Sequence, residues 1–532
     1  MRLAWFILAI ASVLGLPAVA QEPPPVKFTV AHFQVEGDNP LDKSATDAAL
    51  APFLGEYASI DGLLAAKDAL EHAFAAAGFS FHRATLPPQA LDSGVVILKV
   101  ASYNVGDVKV TGNQHFSTDN IRASLPKIVG GSAPDLREVS RSLAVANQHP
   151  HKKLQVTFGD SEATPDSLDA VVKVQDQKPW NLFAGINNIG TPDTGSTRMQ
   201  LGGMYSNLTR HDDVFSTSVT ISPDNINNVL QFGAFYQLPI YPLSGWLSAF
   251  YVKSDVDVGN VQNNFDVSGA GDFLGLSFKR SLLGVGRYHH SLTVGLQDRD
   301  FDTNVFAGTI LRADVSHHVR SRPLSFRYDG SYNWPLTSTS LDFYVDYTFN
   351  LDFGGHNRDQ DYSAFGFPIA DQTHAQVEAQ WWVYRFGALM THNLAGDFLA
   401  VVRMDGQFSD QPLIPGEQFG VGGERSVRGF QERTVAGDRG FVTNFELWSP
   451  PIERLNGLRL LGFVDYGFKS LLEPQAKQRG TDSLSSIGIG ARWNFREMVA
   501  FSVDYGLPLA HADGEAASRG TSKWHLNLQI RY

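Results

Sequence analysis

Between Leu341 and Phe353 the chain alternates without a break. Leu341, Phe343, Val345, Tyr347, Phe349, Leu351 and Phe353 take every odd position, and Asp342, Tyr344, Asp346, Thr348, Asn350 and Asp352 every even one. Successive side chains on a strand point to opposite faces, so one face here is aliphatic or aromatic and the other carries aspartates. The run is long, because strands of soluble sheets usually have about 5–6 residues. The same period recurs at Leu230–Leu238, Trp246–Val252, His290–Leu296, Val377–Val383 and Ile487–Trp493. About sixteen such segments fit into residues 179–532, roughly 22 residues for each strand with its connection, which suits tilted membrane-spanning strands. After the N-terminal twenty residues, no stretch approaches the roughly 20 uncharged residues of a spanning helix. A membrane crossing by this chain therefore requires a closed β-barrel, the other structure that satisfies every backbone group in lipid.

Composition agrees. Charged residues make up 18%, against about 25% in average soluble domains, as expected where one face of each strand meets lipid. A net charge of -12 argues against nucleic acid as a partner. The absence of cysteine excludes disulfides, thiolate metal sites and thiol catalysis.

The chain begins differently. Arg2, the apolar run Leu3–Leu16 and the small residues Ala18-Val19-Ala20 have the layout of a cleaved secretory signal, assigned to residues 1–20. Two α+β units follow, at 21–101 and 102–178. In the first, Phe28–Val35 reads as a strand. Leu63, Leu70, Phe74 and Ala77 mark a helix over Ile60–Ala77 that Gly78 stops, and Val95–Val100 is a closing strand. In the second, Val105–Val110 leads to helices near Ile121 and over Leu136–Ala146, then strands at Leu154–Phe158 and Leu168–Val174.

The final residues alternate again. Trp524, Leu526, Leu528, Ile530 and Tyr532 lie on one face and His525, Asn527, Gln529 and Arg531 on the other. An apolar strand that ends on an aromatic resembles the C-terminal strand of outer-membrane proteins. The resemblance implies two partners, outer-membrane lipid and the barrel-assembly machinery that reads a strand ending as Tyr532 does.

One connection, about 410–439, is much longer than the rest. It contains Gly422-Gly423-Glu424-Arg425-Ser426-Val427-Arg428-Gly429-Phe430 and then Gly437-Asp438-Arg439-Gly440. Val427-Arg428-Gly429-Phe430 resembles the lumen-loop signature of the superfamily that joins periplasmic POTRA domains to an outer-membrane barrel. Phe463-Val464-Asp465 resembles that family's Phe-x-Asp strand motif, and Asn444-Phe445-Glu446 its acidic position one strand earlier. Alternation supports this independently. With Leu460, Val464 and Tyr466 facing lipid, Phe463 and Asp465 point inward. With Phe445 and Leu447 facing lipid, so do Asn444 and Glu446. A guanidinium on an inserted loop then meets two carboxylates, a task suited to its planar fork.

Within the superfamily the chain resembles the two-partner secretion transporters of the hemolysin secretion/activation type, with two POTRA domains before a barrel of 16 antiparallel strands. Leu86-Pro87-Pro88-Gln89-Ala90-Leu91-Asp92-Ser93-Gly94 is similar to the end of their first POTRA domain, Val108–Phe116 to the start of the second, and Asn147-Gln148-His149-Pro150 to its Asn-x-x-Pro turn. Asn187–Gly195 resembles their first barrel hairpin. The resemblance covers nearly all of the chain beyond the signal. It implies export of an unfolded, β-rich exoprotein from periplasm to cell surface, with the POTRA domains engaging the cargo and Arg428, Glu446 and Asp465 holding the loop. Other readings within reach are an outer-membrane protein assembly or lipoprotein-export factor of the same superfamily, and a simple porin. Gln21–Lys27 is too short for the plug helix and linker that such transporters usually carry, so the resting channel is closed by the long loop alone, closed by another element, or leaks. No nucleotide-binding loop or hydrolase motif is present. His289-His290 and His317-His318 face opposite sides of their strands, which speaks against a metal site. No enzyme, cofactor or metal is expected.

Overall fold

The computed structural model describes residues 27–164, 167–190, 195–225, 229–254, 258–261, 265–268, 270–304, 316–362, 377–474, 479–496, 498–510 and 522–532. The signal read at 1–20, most of the Gln21–Lys27 segment and Thr194 of the first hairpin lie outside the described residues. The chain divides into two compact units, 1–104 and 105–532.

In the first unit, a helix over Asp61–Ala76 buries Leu63, Ala66, Leu70 and Phe74 along one stripe, the spacing that makes an amphipathic helix dock. Gly78 ends it at φ +97°. The stripe packs on Phe33, Val96 and Leu98 of a three-stranded sheet. Its central strand, Val95–Ser102, runs parallel to His32–Gly37 and antiparallel to His82–Thr85. The single strand expected over Phe28–Val35 is in fact two. Phe28–Val30 pairs with Gly55–Tyr57, and the Ala31 N–H between the two strands goes to the Gly94 carbonyl. Different partners on either side of Ala31 divide a stretch whose alternation is continuous.

The second module repeats this build. Helices Thr118–Ala123 and Leu136–Ala146 are capped by Ser117 and Asp135, whose side chains accept backbone N–H groups of the first turn. They cover a sheet of Asn104–Thr111, Ser167–Asp176 and Lys152–Asp160, in that order. Sequence pattern marks a boundary at 178, yet the core runs on beyond it. Phe116, Ile121, Leu154 and Val172 belong to one cluster with Val214, Tyr241 and Trp246, which lie in and beside the barrel's short turns. A buried polar knot sits at this junction. Lys152 pairs with Asp212 in the first short turn, while Ser124 Oγ and Tyr241 Oη donate to the same carboxylate at 3.0 and 2.5 Å. Burial lowers the Lys152 pKa, and Asp212 opposes the shift.

The barrel strands, numbered here β1–β16, are β1 Trp180–Asn187, β2 Arg198–Ser206, β3 Val214–Ile221, β4 Leu230–Ile240, β5 Gly245–Ser254, β6 Gly271–Ser281, β7 Tyr288–Asn304, and β8, which is Ser316–Ser321 continued by Pro323–Trp334. They continue with β9 Thr339–Asn350, β10 Trp382–Asn393, β11 Leu399–Phe408, β12 Arg439–Trp448, β13 Arg459–Ser470, β14 Thr481–Phe495, β15 Val499–Ala510 and β16 Lys523–Arg531. Each pairs antiparallel with the next, and β16 closes on β1. Beyond the last ladder pair, Tyr532 and Leu182 exchange both backbone hydrogen bonds, at 2.9 and 3.0 Å. Alternation sets the faces as expected. Leu274 is 57% exposed beside Phe273 at 2%, and Trp524 is 54% exposed beside His525 at 1%.

One expected strand is displaced. Val377–Val383 alternates, but pairing starts only at Trp382. Val377, Ala379 and Trp381 are buried together with Phe235, Phe273, Phe301, Leu413 and Ile414. The alternation there records burial of an extended segment against an apolar cluster inside the wall, with no neighbouring strand required.

Candidate functional site

The β11–β12 connection, 409–438, folds back so that Arg428 is only 3% exposed. Its guanidinium uses every edge. Nε and Nη2 donate to Asp465 Oδ2 and Oδ1 at 2.8 and 2.7 Å, and Nη1 donates to Glu446 Oε1 at 2.6 Å. The Arg428 backbone N–H also reaches Asp465 Oδ2, at 3.0 Å. Asp465 and Glu446 lie on neighbouring strands, β13 and β12. Asn444, paired directly with Asp465 in the ladder, donates to Asp465 Oδ1 at 2.8 Å and to the Ser426 carbonyl of the loop at 2.6 Å. Phe463, two residues before Asp465 and on the same face, puts its ring 3.5 Å from the Arg428 guanidinium carbon. The face of the cation rests on the aromatic quadrupole while its edges are bonded to carboxylates.

The neighbours of Arg428 are placed as tightly. Val427 and Phe430 are buried in a small cluster with Val421, Val442 and Leu484. Gly429 adopts φ +93°, and a Cβ there would stand 2.9 Å from the Gly506 carbonyl of β15. Loop backbone and strand backbone touch because both residues are glycine. Asp438 holds the base of the loop, accepting N–H groups from Leu413 at 2.9 Å and Leu472 at 2.8 Å. Gly437 and Gly440 pass close to the Ser470 and Phe468 carbonyls, where a Cβ would come within 2.7 and 2.6 Å. All the residues singled out in the sequence, Val427 to Phe430, Gly437, Asp438, Gly440, Asn444, Glu446, Phe463 and Asp465, thus meet around one loop.

Three participants were not legible in advance. Asp504 on β15 lies 3.7 Å from Arg428 Nη1 and forms a two-pronged pair with Arg492 at 2.7 and 2.8 Å. His525 Nε2 accepts the Gly429 N–H at 3.0 Å, which requires an unprotonated nitrogen at that position. Gly506 supplies the floor. Strand parity marks all three as inward, but parity does not say which inward residues a loop will reach.

Two residues from the motifs of the α+β modules, Gln89 and Asn147, hold backbone in place. Gln89 donates to the Ile97 carbonyl at 2.8 Å and accepts its N–H at 2.7 Å. Asn147 does the same with Leu154, at 3.0 and 2.7 Å. Each side-chain amide continues a ladder where no strand lies alongside.

This architecture has known counterparts. A family profile described as Haemolysin secretion/activation protein ShlB/FhaC/HecB matches residues 167–493, and a profile described as POTRA domain, ShlB-type matches residues 28–102. The chain belongs to the haemolysin secretion/activation family. The Heme/hemopexin transporter protein HuxB of Haemophilus influenzae (strain 86-028NP) is 21% identical over 93% of this chain and 86% of its own length. The Outer membrane transporter CdiB of Escherichia coli O6:K15:H31 (strain 536 / UPEC) is 24% identical over 94% and 82%. The solved structure of CdiB from Escherichia coli superposes with a TM-score of 0.77 at 19% identity, covering 98% of this chain and 93% of that one. Members of the haemolysin secretion/activation family are two-partner secretion transporters. This one is an outer-membrane barrel with periplasmic POTRA modules, and it exports a partner exoprotein across the outer membrane.

Proposed function

We propose that the exported partner is an unfolded, β-rich protein of hemolysin or adhesin type that docks on the POTRA modules and passes through the lumen beside the anchored loop. The anchor carries this reading. Arg428, held by Asp465 and Glu446 and stacked on Phe463, is a positioning device with no bond to make or break. The outer strands of the two periplasmic sheets, such as His32–Gly37, offer backbone edges to an extended chain by β-augmentation. Cargo folding outside the cell supplies direction. Outer-membrane lipid covers the exposed apolar face, and the barrel-assembly machinery reads the strand ending in Tyr532. The test is secretion of the exoprotein by Arg428→Ala, with barrel insertion followed by heat-modifiable migration on gels. Export should be abolished while insertion stays measurable. Normal export by that variant would remove the loop anchor from the mechanism.

A further inference from the structure

A second carboxylate of the inserted loop is bonded to a different arc of the wall. Glu417 lies eleven residues before Arg428 in a single helical turn, Pro415–Glu417, and is 1% exposed. Arg299 Nη1 of β7 donates to its Oε2 at 2.5 Å, and Ser321 Oγ of β8 to its Oε1 at 2.8 Å. Arg385 Nη2 of β10 approaches the same Oε2 at 3.4 Å. Gln407 of β11 takes the Glu417 carbonyl at 3.0 Å and is itself held by Arg385 Nε at 2.9 Å. The anchors therefore divide the barrel. The Glu417 carboxylate engages β7, β8 and β10, whereas the Arg428 guanidinium engages β12 and β13 and faces β15.

Directly before Glu417 stand Leu413 and Ile414, 2% and 1% exposed. They are packed with Phe235, Phe273, Phe301 and Trp381 in the apolar cluster inside the wall. Lumens of outer-membrane barrels are typically polar, so a close-packed apolar core at this point is a departure. Gly416 rests on the Phe301 ring, where an added Cβ would stand 2.4 Å from the nearest ring carbon. Beside the loop lies a cavity of about 780 Å³, bordered by Arg299, Arg385, Arg403, Asp405, Glu424 and Glu432.

We infer that Glu417 is a positioning residue for export: it ties the first limb of the loop to the β7–β10 arc and so keeps the Leu413–Ile414 core packed as the resting closure of the lumen. Opening requires release of this anchor, with Arg428 free to remain in place. The inference rests on the export reading, because it states how an exporting barrel is shut between cargoes. Its test needs no cargo, so its failure is separate from a failure of that reading.

Purified full-length protein in planar bilayers provides the readout. Glu417→Gln should raise conductance several-fold above the parent, with heat-modifiable migration unchanged. Arg299→Gln combined with Arg385→Gln should do the same with Glu417 intact, and serves if Glu417→Gln does not insert. The triple variant should add nothing further, because both changes break one anchor. The chain has no cysteine, so Glu417→Cys with Ser321→Cys can be bridged by a short bis-methanethiosulfonate, each thiolate displacing a sulfinate to form a reducible disulfide. Conductance should be low when bridged and should rise on reduction. Parent-level conductance in Glu417→Gln or in the arginine variant, or a bridged pair as conductive as the reduced one, would overturn the inference.

Discussion

At the scale of single residues, Arg428 shows how a buried cation is made tolerable. Asp465 is wholly buried and takes three of the hydrogen bonds that Arg428 donates. Removing one member of such a pair leaves the other charge without compensation, typically at a cost of about 3–5 kcal/mol. Arg428→Ala should therefore also loosen the loop physically, and limited proteolysis between residues 421 and 435 of the detergent-solubilised protein should speed up. Arg428→Lys keeps the charge but not the fork, so it should fall between parent and alanine variant. Gly506→Ala is the stricter test of geometry. The new methyl would stand 2.4 Å from the Gly429 nitrogen and 2.6 Å from the Arg428 carbonyl carbon. Neither atom belongs to a flexible side-chain end, so the loop must lift, and the same proteolytic assay should report it without loss of insertion. Arginine, Glu446 and Asp465 were legible in sequence because parity along a strand is local information. Asp504, His525 and Gly506 have the same parity, but their role depends on how deeply the loop descends, which no local pattern encodes.

At the scale of elements, the second POTRA module carries a pH dependence of its own. His149 is fully buried, its Nδ1 accepts the His151 N–H at 3.2 Å, and its ring meets Phe116 edge-on at 5.2 Å. Burial, reinforced by the nearby Lys152 charge, pushes its pKa down to about 3. The unfolded imidazole takes up a proton near pH 6.5 and the folded one does so only near pH 3, so the unfolded state binds more protons in between. Stability from this group is complete above about pH 6.5 and declines as the pH falls, by roughly 2 kcal/mol at pH 5. Hydrogen exchange over residues 118–158, corrected for intrinsic rates, should show deprotection from pH 7 to pH 5, and His149→Gln should flatten that response. The elements also show where alternation misleads. Val377–Trp381 has the pattern of a strand and the burial of one face, yet it joins the β9 ladder only at its end, where the Trp381 carbonyl accepts the Asn350 N–H at 2.9 Å. Period two reports an extended backbone with one side covered, and only the partner decides whether it is a sheet.

At the scale of the whole molecule, closure of the barrel joins residues more than three hundred positions apart. Tyr532 exchanges backbone bonds with Leu182, and its ring lies 5.9 Å from that of Trp180. Deleting Tyr532 should slow insertion into outer-membrane-lipid vesicles supplied with the assembly machinery, while the inserted fraction keeps parent conductance; equal insertion kinetics would take recognition away from this residue. The amino-acid order alone determined the two α+β modules, the face of each strand that meets lipid, and the arginine with two of its carboxylates. These follow from periods of 3.6 and 2 and from turn chemistry, which act over a few neighbouring residues. The tertiary structure alone decided that the second module shares its core with the barrel turns, that Glu417 binds a second arc of the wall, and that apolar side chains fill part of the lumen. Each of these is a meeting of surfaces distant in the chain, and each becomes favourable only once the strands have closed and brought those surfaces within contact range.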